Sequence, residues 1–70
     1  MSREVDARGL SCPQPIVLAF HALAEEPGPV TIIVDTQSAV ESLKRLLSRE
    51  KRTVEIIETM ETTVFRIGPR

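Results

Sequence analysis

The sequence has one cysteine, no tryptophan, no tyrosine and only two phenylalanines. A single cysteine excludes an internal disulfide, so a folded domain of this length must depend on a small apolar core. The shortage of aromatic rings argues against base stacking as a way of binding nucleic acid. No apolar run approaches the roughly 20 residues of a membrane-spanning helix. We therefore expect one domain over residues 1–70, with no membrane association.

A surplus of charge of either sign is also missing. The formal net charge is −1, which gives no overall field toward nucleic acid or a membrane surface, so direct nucleic-acid binding is not expected. The first residues lack the apolar segment of a signal peptide, and a free cysteine fits a reducing compartment. These features predict a cytoplasmic protein, and we expect it to be a monomer.

The first half of the chain predicts a strand, a helix and a second strand. Residues 5–7 read as a short strand, and Gly9 marks a turn. Residues 13–24 form the predicted helix, because prolines are tolerated in a first turn whose N–H groups have no helical partner. Three apolar residues at helical spacing form its buried face: Ile16, Ala19 and Leu23. The β-branched run at 30–34 predicts a strand that is buried on both faces and has a parallel neighbour.

The second half predicts another helix and a hairpin. The helix covers 39–49, with Ser38 as N-cap and Glu41 completing a capping box. Its apolar face consists of four residues: Val40, Leu43, Leu46 and Leu47. Strands at 53–58 and 63–68 form the hairpin, and Phe65 and Ile67 share one face of the second strand. The β-α-β-α-β-β order predicts an α/β (α+β) fold, a two-layer sandwich with both helices on one face and the first two strands parallel.

Cys12 precedes Pro13 at the start of the first predicted helix. As N-cap it would face the positive end of the helix dipole, which lowers the pKa of a thiol below about 8.5. Arg8 would add positive charge, and Gln14 could donate a hydrogen bond to the sulfur. Free cysteines are also among the most buried residues, so a structural Cys12 is the alternative. The spacing alone slightly favours that structural alternative.

The chain offers Cys12 no catalytic partner in the sequence. His21 lies about 13 Å further along the helix and half a turn round it, too far for a Cys-His dyad, and we expect it to be a solvated surface residue. One cysteine and one histidine do not make a zinc site, so no metal and no cofactor are predicted. A thiol without a base or a second cysteine suits a carrier that other proteins load and unload.

The stretch DARGLSCPQPIV resembles the TusA/SirA/YedF family of small sulfur-carrier proteins. The family is marked by a Cys-Pro-x-Pro box after a Gly-Leu turn. The matching residues are Gly9, Leu10, Cys12, Pro13, Gln14 and Pro15. The strand at 30–34 and the helix after it look most like the YedF branch, which is linked to selenium metabolism.

The resemblance implies a four-stranded mixed sheet and a sulfurtransferase-type carrier that holds persulfide sulfur on Cys12. The residues around the box would then shape the site. The implied partners are a sulfur donor, such as a cysteine desulfurase or a rhodanese, and a downstream acceptor protein. The sulfur would serve tRNA thiolation or other sulfur or selenium metabolism. The alternative is a non-catalytic regulatory or nucleic-acid-binding module with a structural cysteine.

Two further groups of residues are candidates for the site. Arg8, Asp35 and Ser38 could form its polar rim, because the carboxyl ends of parallel strands share one edge of a sheet. For Asp35, a turn residue that bonds its own backbone is the favoured interpretation.

The second group consists of residues that could dock a partner protein. Relatives usually carry basic residues at the positions of Phe20 and His21, and we expect Phe20 to be partly exposed. Lys44 and Arg45 belong to a basic cluster that could bind an acidic partner or tRNA, although a solvated helix face is the favoured interpretation. The other members of the cluster are Arg49, Lys51 and Arg52.

Overall fold

The computed structural model describes residues 2–10 and 14–69. In this part of the chain the elements follow the predicted β-α-β-α-β-β order. They are β1 (Arg3–Asp6), α1 (Gln14–Glu25), β2 (Val30–Val34), α2 (Gln37–Leu47), β3 (Val54–Glu58) and β4 (Thr63–Ile67). The predictions for Cys12 and Pro13 fall outside the described residues. Neither described helix is long and apolar enough to cross a membrane.

The four strands form one mixed sheet in the order β1-β2-β4-β3. β1 runs parallel to β2, as predicted, because α1 carries the chain back to the starting end of the sheet. β4 runs antiparallel to both β2 and β3, so the predicted hairpin forms as well. The expected fold class is confirmed.

The core lies between one face of this sheet and the two helices. Val30, Ile32 and Val34 alternate along β2 and are almost completely buried. In register, Ile32 lies beside Phe65 and Val30 beside Ile67, and both β4 residues are also buried. The helices cover these strand residues with a set of buried apolar side chains: Ala19, Ala22 and Leu23 from α1, and Ala39, Val40, Leu43 and Leu47 from α2. The predicted apolar faces are thus confirmed, with Ile16 and Leu46 partly buried at their margins.

The opposite face of the sheet has no helix over it. Thr31, Ile33 and Val64 are half-buried there, and Arg66 is exposed. The expectation that β2 is buried on both faces was therefore wrong. A β-branched run predicts a strand reliably, but the covering of its second face requires a third layer, which two helices cannot supply.

The start of α2 differs from the predicted capping box. Thr36 is the N-cap, with an extended backbone, and its hydroxyl accepts a hydrogen bond from the Ala39 N–H at 3.4 Å. Ser38 lies inside the first turn, and Glu41 accepts a hydrogen bond from the Gln37 side chain at 3.0 Å. Both Thr36 and Ser38 have good N-cap side chains, and the strand–helix connection is only two residues long, which places the cap at Thr36.

Arg52 is buried, contrary to its expected place in a solvated basic cluster. Its Nη2 atom donates hydrogen bonds to the carbonyl oxygens of Leu23 at 3.1 Å and Glu26 at 2.6 Å. The last turn of α1 has no basic residue of its own, and carbonyls at a helix C-terminus attract a cation. Arg52 therefore ties the loop before β3 to the end of α1.

Arg52→Ala should lower the free energy of unfolding by about 2 kcal/mol, because two hydrogen bonds from a charged donor are lost. The matched control is Arg49→Ala, which removes an exposed arginine from the same loop region and should change stability by less than about 0.5 kcal/mol. Urea denaturation followed by circular dichroism measures both. Equal effects of the two substitutions would contradict a capping role.

Candidate functional site

The carboxyl ends of β1 and β2 lie side by side because the two strands are parallel. After β1, the Ala7 N–H donates a hydrogen bond to the Ile33 carbonyl at 2.8 Å, which carries the pairing one residue past the strand. The turn at residues 8–10 follows directly, and Asp35 follows β2. The segment that leads into Cys12 is thereby held against the end of the central strand.

Asp35 fixes this turn from the neighbouring strand. Its two carboxylate oxygens accept the Gly9 N–H at 3.2 and 3.1 Å. Gly9 has a φ of +78°, a left-handed conformation that glycine adopts without the steric cost other residues meet. The sequence favoured a bond from Asp35 to its own turn, but the structure shows this bond across 26 residues instead. The turn conformation three residues before Cys12 thus depends on a residue that is remote in sequence.

The residues on either side of positions 11–13 are anchored in the core. Leu10 is half-buried and packs against the core cluster, and its N–H donates to the Ala7 carbonyl at 3.4 Å. Pro15, in the first turn of α1, has a fully buried side chain, whereas Gln14 is exposed. Residues 11–13, which include Cys12, therefore connect two segments that are anchored in the core by Leu10 and Pro15.

Arg8 directs its guanidinium to Asp6. Its Nε and Nη2 atoms donate to the two carboxylate oxygens of Asp6 at 2.9 and 2.8 Å, and its backbone N–H donates to one of them at 3.1 Å. The side-chain hydrogen bond from Arg8 is the main reason that the pKa of Asp6 falls from 3.8 to about 2. The same bond raises the pKa of Arg8. The positive charge that the sequence assigned to the cysteine site is therefore paired with a carboxylate.

The Asp6–Arg8 pair gives stability a defined pH dependence. A carboxyl group whose pKa is lower in the folded state stabilises the fold above its unfolded pKa, and that stabilisation is lost as the pH falls from 3.8 through about 2. Arg8→Gln should raise the Asp6 titration midpoint toward 3.8, as measured by carboxyl-carbon NMR. Arg3→Gln, which breaks a different exposed ion pair, is the control and should leave the midpoint unchanged. An unchanged midpoint in Arg8→Gln would contradict the assignment.

The solvent-facing side of α1 carries exposed apolar residues along the middle of the helix. Phe20 is 59% exposed, as expected, and its ring meets His21 edge-on with centroids 6.1 Å apart. Val17 and Leu18 are also exposed. Val17 and Leu18 were not among the predicted site residues, although their helical positions, off the buried face of Ala19 and Leu23, could have identified them as exposed.

The α2 candidates lie at opposite ends of that helix. Ser38 is exposed in the first turn of α2, close in sequence to Asp35. Lys44 and Arg45 are in the last turn, about 10 Å further along the helix axis. Lys44 lies 3.7 Å from a carboxylate oxygen of Glu58, so part of the basic cluster is paired within the fold.

Comparison with known proteins places this geometry in a family. The model of the family described as sulfurtransferase TusA matches residues 3–68. The chain belongs to this family. The matched range includes the Gly9 turn and the Cys-Pro-Gln-Pro sequence.

A solved structure agrees with the assignment. The chain is similar to a SirA-like protein from Desulfitobacterium hafniense, with a TM-score of 0.81 and 28% identity over 94% of this chain and 95% of that one. No curated protein matches the chain. The family and the shared fold support a sulfur-carrier or sulfurtransferase function.

Proposed function

We propose that Cys12 accepts a sulfur atom as a persulfide and passes it to a second protein. The observation that carries the proposal is the family match over residues 3–68, which includes the only cysteine of the chain within its Cys-Pro-Gln-Pro box. The Gly9–Asp35 bond supports it, because it fixes the turn that leads into the box. Gly9, Leu10, Pro13, Gln14 and Pro15 are proposed to shape the site.

The transfer needs no cofactor from this chain. The Cys12 thiolate attacks the outer sulfur of a persulfide on the donor protein, and the donor's cysteine thiolate leaves. One sulfur–sulfur bond forms and one breaks, so no oxidant is consumed. The acceptor then takes the outer sulfur from Cys12 and restores its thiolate. Because the chain has no second cysteine, it cannot discharge the persulfide by forming an internal disulfide.

The proposed donor is a cysteine desulfurase or a rhodanese, and the proposed acceptor is a protein of cytoplasmic sulfur metabolism. tRNA thiolation is one end point, and a role in selenium metabolism, as in a YedF-like branch, is another. The exposed face of α1 is proposed to dock these partners. Phe20, His21 and Val17 are exposed on it. Lys44 and Arg45, in the last turn of α2, are proposed as further contacts.

Loading with sulfur tests the proposal directly. The protein is incubated with a cysteine desulfurase and cysteine without reductant, and its intact mass is then measured. We expect the mass of one added sulfur atom, located on Cys12 by peptide mapping and removed by a thiol reductant. Cys12→Ser should gain none. Absence of the added sulfur, with a thiol that is labelled only after unfolding, would instead indicate a structural cysteine.

The docking surface has its own test. Phe20→Ala should weaken productive binding of the donor about tenfold, because exposed aromatic residues dominate many protein interfaces. The effect should appear in the KM for sulfur loading, with kcat little changed. Met60→Ala is the matched control, since Met60 is fully exposed on the β3–β4 turn. Equal KM values for Phe20→Ala and the unaltered protein would exclude Phe20 from the contact.

A further inference from the structure

β3 is an outer strand of the sheet and has a free hydrogen-bonding edge within the described chain. The Gly68 N–H donates to the Thr53 carbonyl at 2.8 Å, and the Thr59 N–H donates to the Thr62 carbonyl at 2.9 Å. Backbone groups alternate along an antiparallel strand, so the residues of odd number face β4. The N–H and C=O groups of Val54, Ile56 and Glu58 therefore point away from the sheet.

This edge carries an exposed isoleucine on each face. Ile56 and Ile57 are each 40% exposed. Ile56 lies beside Phe65 in register, on the helix side, where Lys44 and Leu47 of α2 border a shallow groove over it. Ile57 lies on the helix-free face, in one row with Val64 and Ile33. A new strand beside β3 would cover apolar surface on both sides.

The other edge of the sheet is protected and provides a contrast. β1 is four residues long, and three of them, Arg3, Glu4 and Asp6, are charged. Short length and charged side chains are the usual means by which proteins prevent edge strands from pairing. β3 is one residue longer and carries two glutamates, but both lie in ion pairs within the fold, Glu55 with Arg66 and Glu58 with Lys44, and two adjacent isoleucines stand between them beside an open ladder.

We infer that β3 pairs antiparallel with β3 of a second copy, which joins the two sheets through a two-fold axis at Ile56. In this register Ile56 lies opposite its own counterpart, Val54 opposite Glu58, and Glu55 opposite Ile57. Three facing pairs exchange two backbone bonds each, which gives about six new hydrogen bonds. The proposal replaces the monomer expected from the sequence and is independent of the proposed sulfur chemistry.

The sequence of the strand selects this register and favours a second copy as its partner. Side chains that lie opposite one another must be on the same face of the sheet. The two-fold axis can therefore pass through a residue but not between two residues, so the register shifts by moving the axis to a neighbouring residue. Moving the axis to Glu55 sets two glutamates opposite each other, which is unfavourable, and leaves about four bonds. Moving it to Ile57 also leaves about four. The strand Val54–Glu58 therefore pairs best with a second copy when the two-fold axis passes through Ile56. In that register no glutamate lies opposite another.

The pairing leaves the Gly9 turn free. β3 and β1 are the two opposite edges of the sheet, and the Gly9 turn follows β1. A dimer formed through β3 would carry two Gly9 turns, one at each far side of a continuous sheet.

Sedimentation equilibrium from micromolar to millimolar concentration tests the inference, together with amide hydrogen exchange. We expect a reversible monomer–dimer equilibrium. The outward amides of Val54, Ile56 and Glu58 should exchange more slowly as the dimer forms, whereas those of Glu55 and Ile57 are protected at all concentrations by β4. Ile56→Lys places two ammonium groups together at the axis and should weaken the dimer by about tenfold or more.

Val17→Lys is the matched control, because it makes the same change at an exposed apolar residue of α1. It should leave the dimerisation constant unchanged, and circular dichroism checks that both variants stay folded. A monomer at every concentration would overturn the inference. A dimer that survives Ile56→Lys, or one that forms without protection of the Ile56 amide, would also overturn it by placing the interface elsewhere.

Discussion

The arrangement of this protein depends on β2, which is paired along both of its edges and covered by both helices on one face. Val30, Ile32 and Val34 supply the centre of the core, and the strand sets β1 on one side and β4 on the other. Burial of these side chains and completion of both ladders are favourable together, since a strand with unpaired buried backbone groups would be costly. The end of the same strand carries Asp35, so one element both organises the core and fixes the turn that leads into Cys12.

Polar contacts at the two ends of α1 complete this organisation. Before the helix, Gly9 is held by Asp35, and at its end Arg52 donates to Leu23 and Glu26. The buried face of α1 consists largely of small and medium side chains, which packs the helix closely against the sheet. For a carrier that must present one residue to successive partners, a rigid support has a physical advantage, because the geometry around the reactive atom need not be rebuilt at each encounter.

The sequence predicted the parts of the fold that follow from periodicity and missed those that follow from distant pairing. Apolar spacing located both helices and all four strands, because a buried face repeats at the period of its element. The prediction of Ser38 as the N-cap of α2 was wrong, since Thr36 can cap a helix equally well and only the backbone of the connection separates the two. Arg52 looked like a member of a charged surface run, because its acceptors, the carbonyls at the end of α1, leave no trace in side-chain identity. In the site, the turn at Gly9 could be predicted from the sequence, whereas the acceptor of the Gly9 N–H and the carboxylate that pairs with Arg8 required the folded chain.

The register of β2 with its two neighbouring strands determines which end of the molecule is available for attachment to a surface, a tag or another domain. Val30 lies between Arg3 at the start of β1 and Ile67 at the end of β4, so these two strand ends are about 10 Å apart, at one pole of the molecule. The Gly9 turn and Asp35 are at the other pole, where β1 and β2 finish. A surface, a tag or a neighbouring domain joined through either strand end would hold the protein at the first pole and leave the pole with the Gly9 turn and Asp35 facing outward.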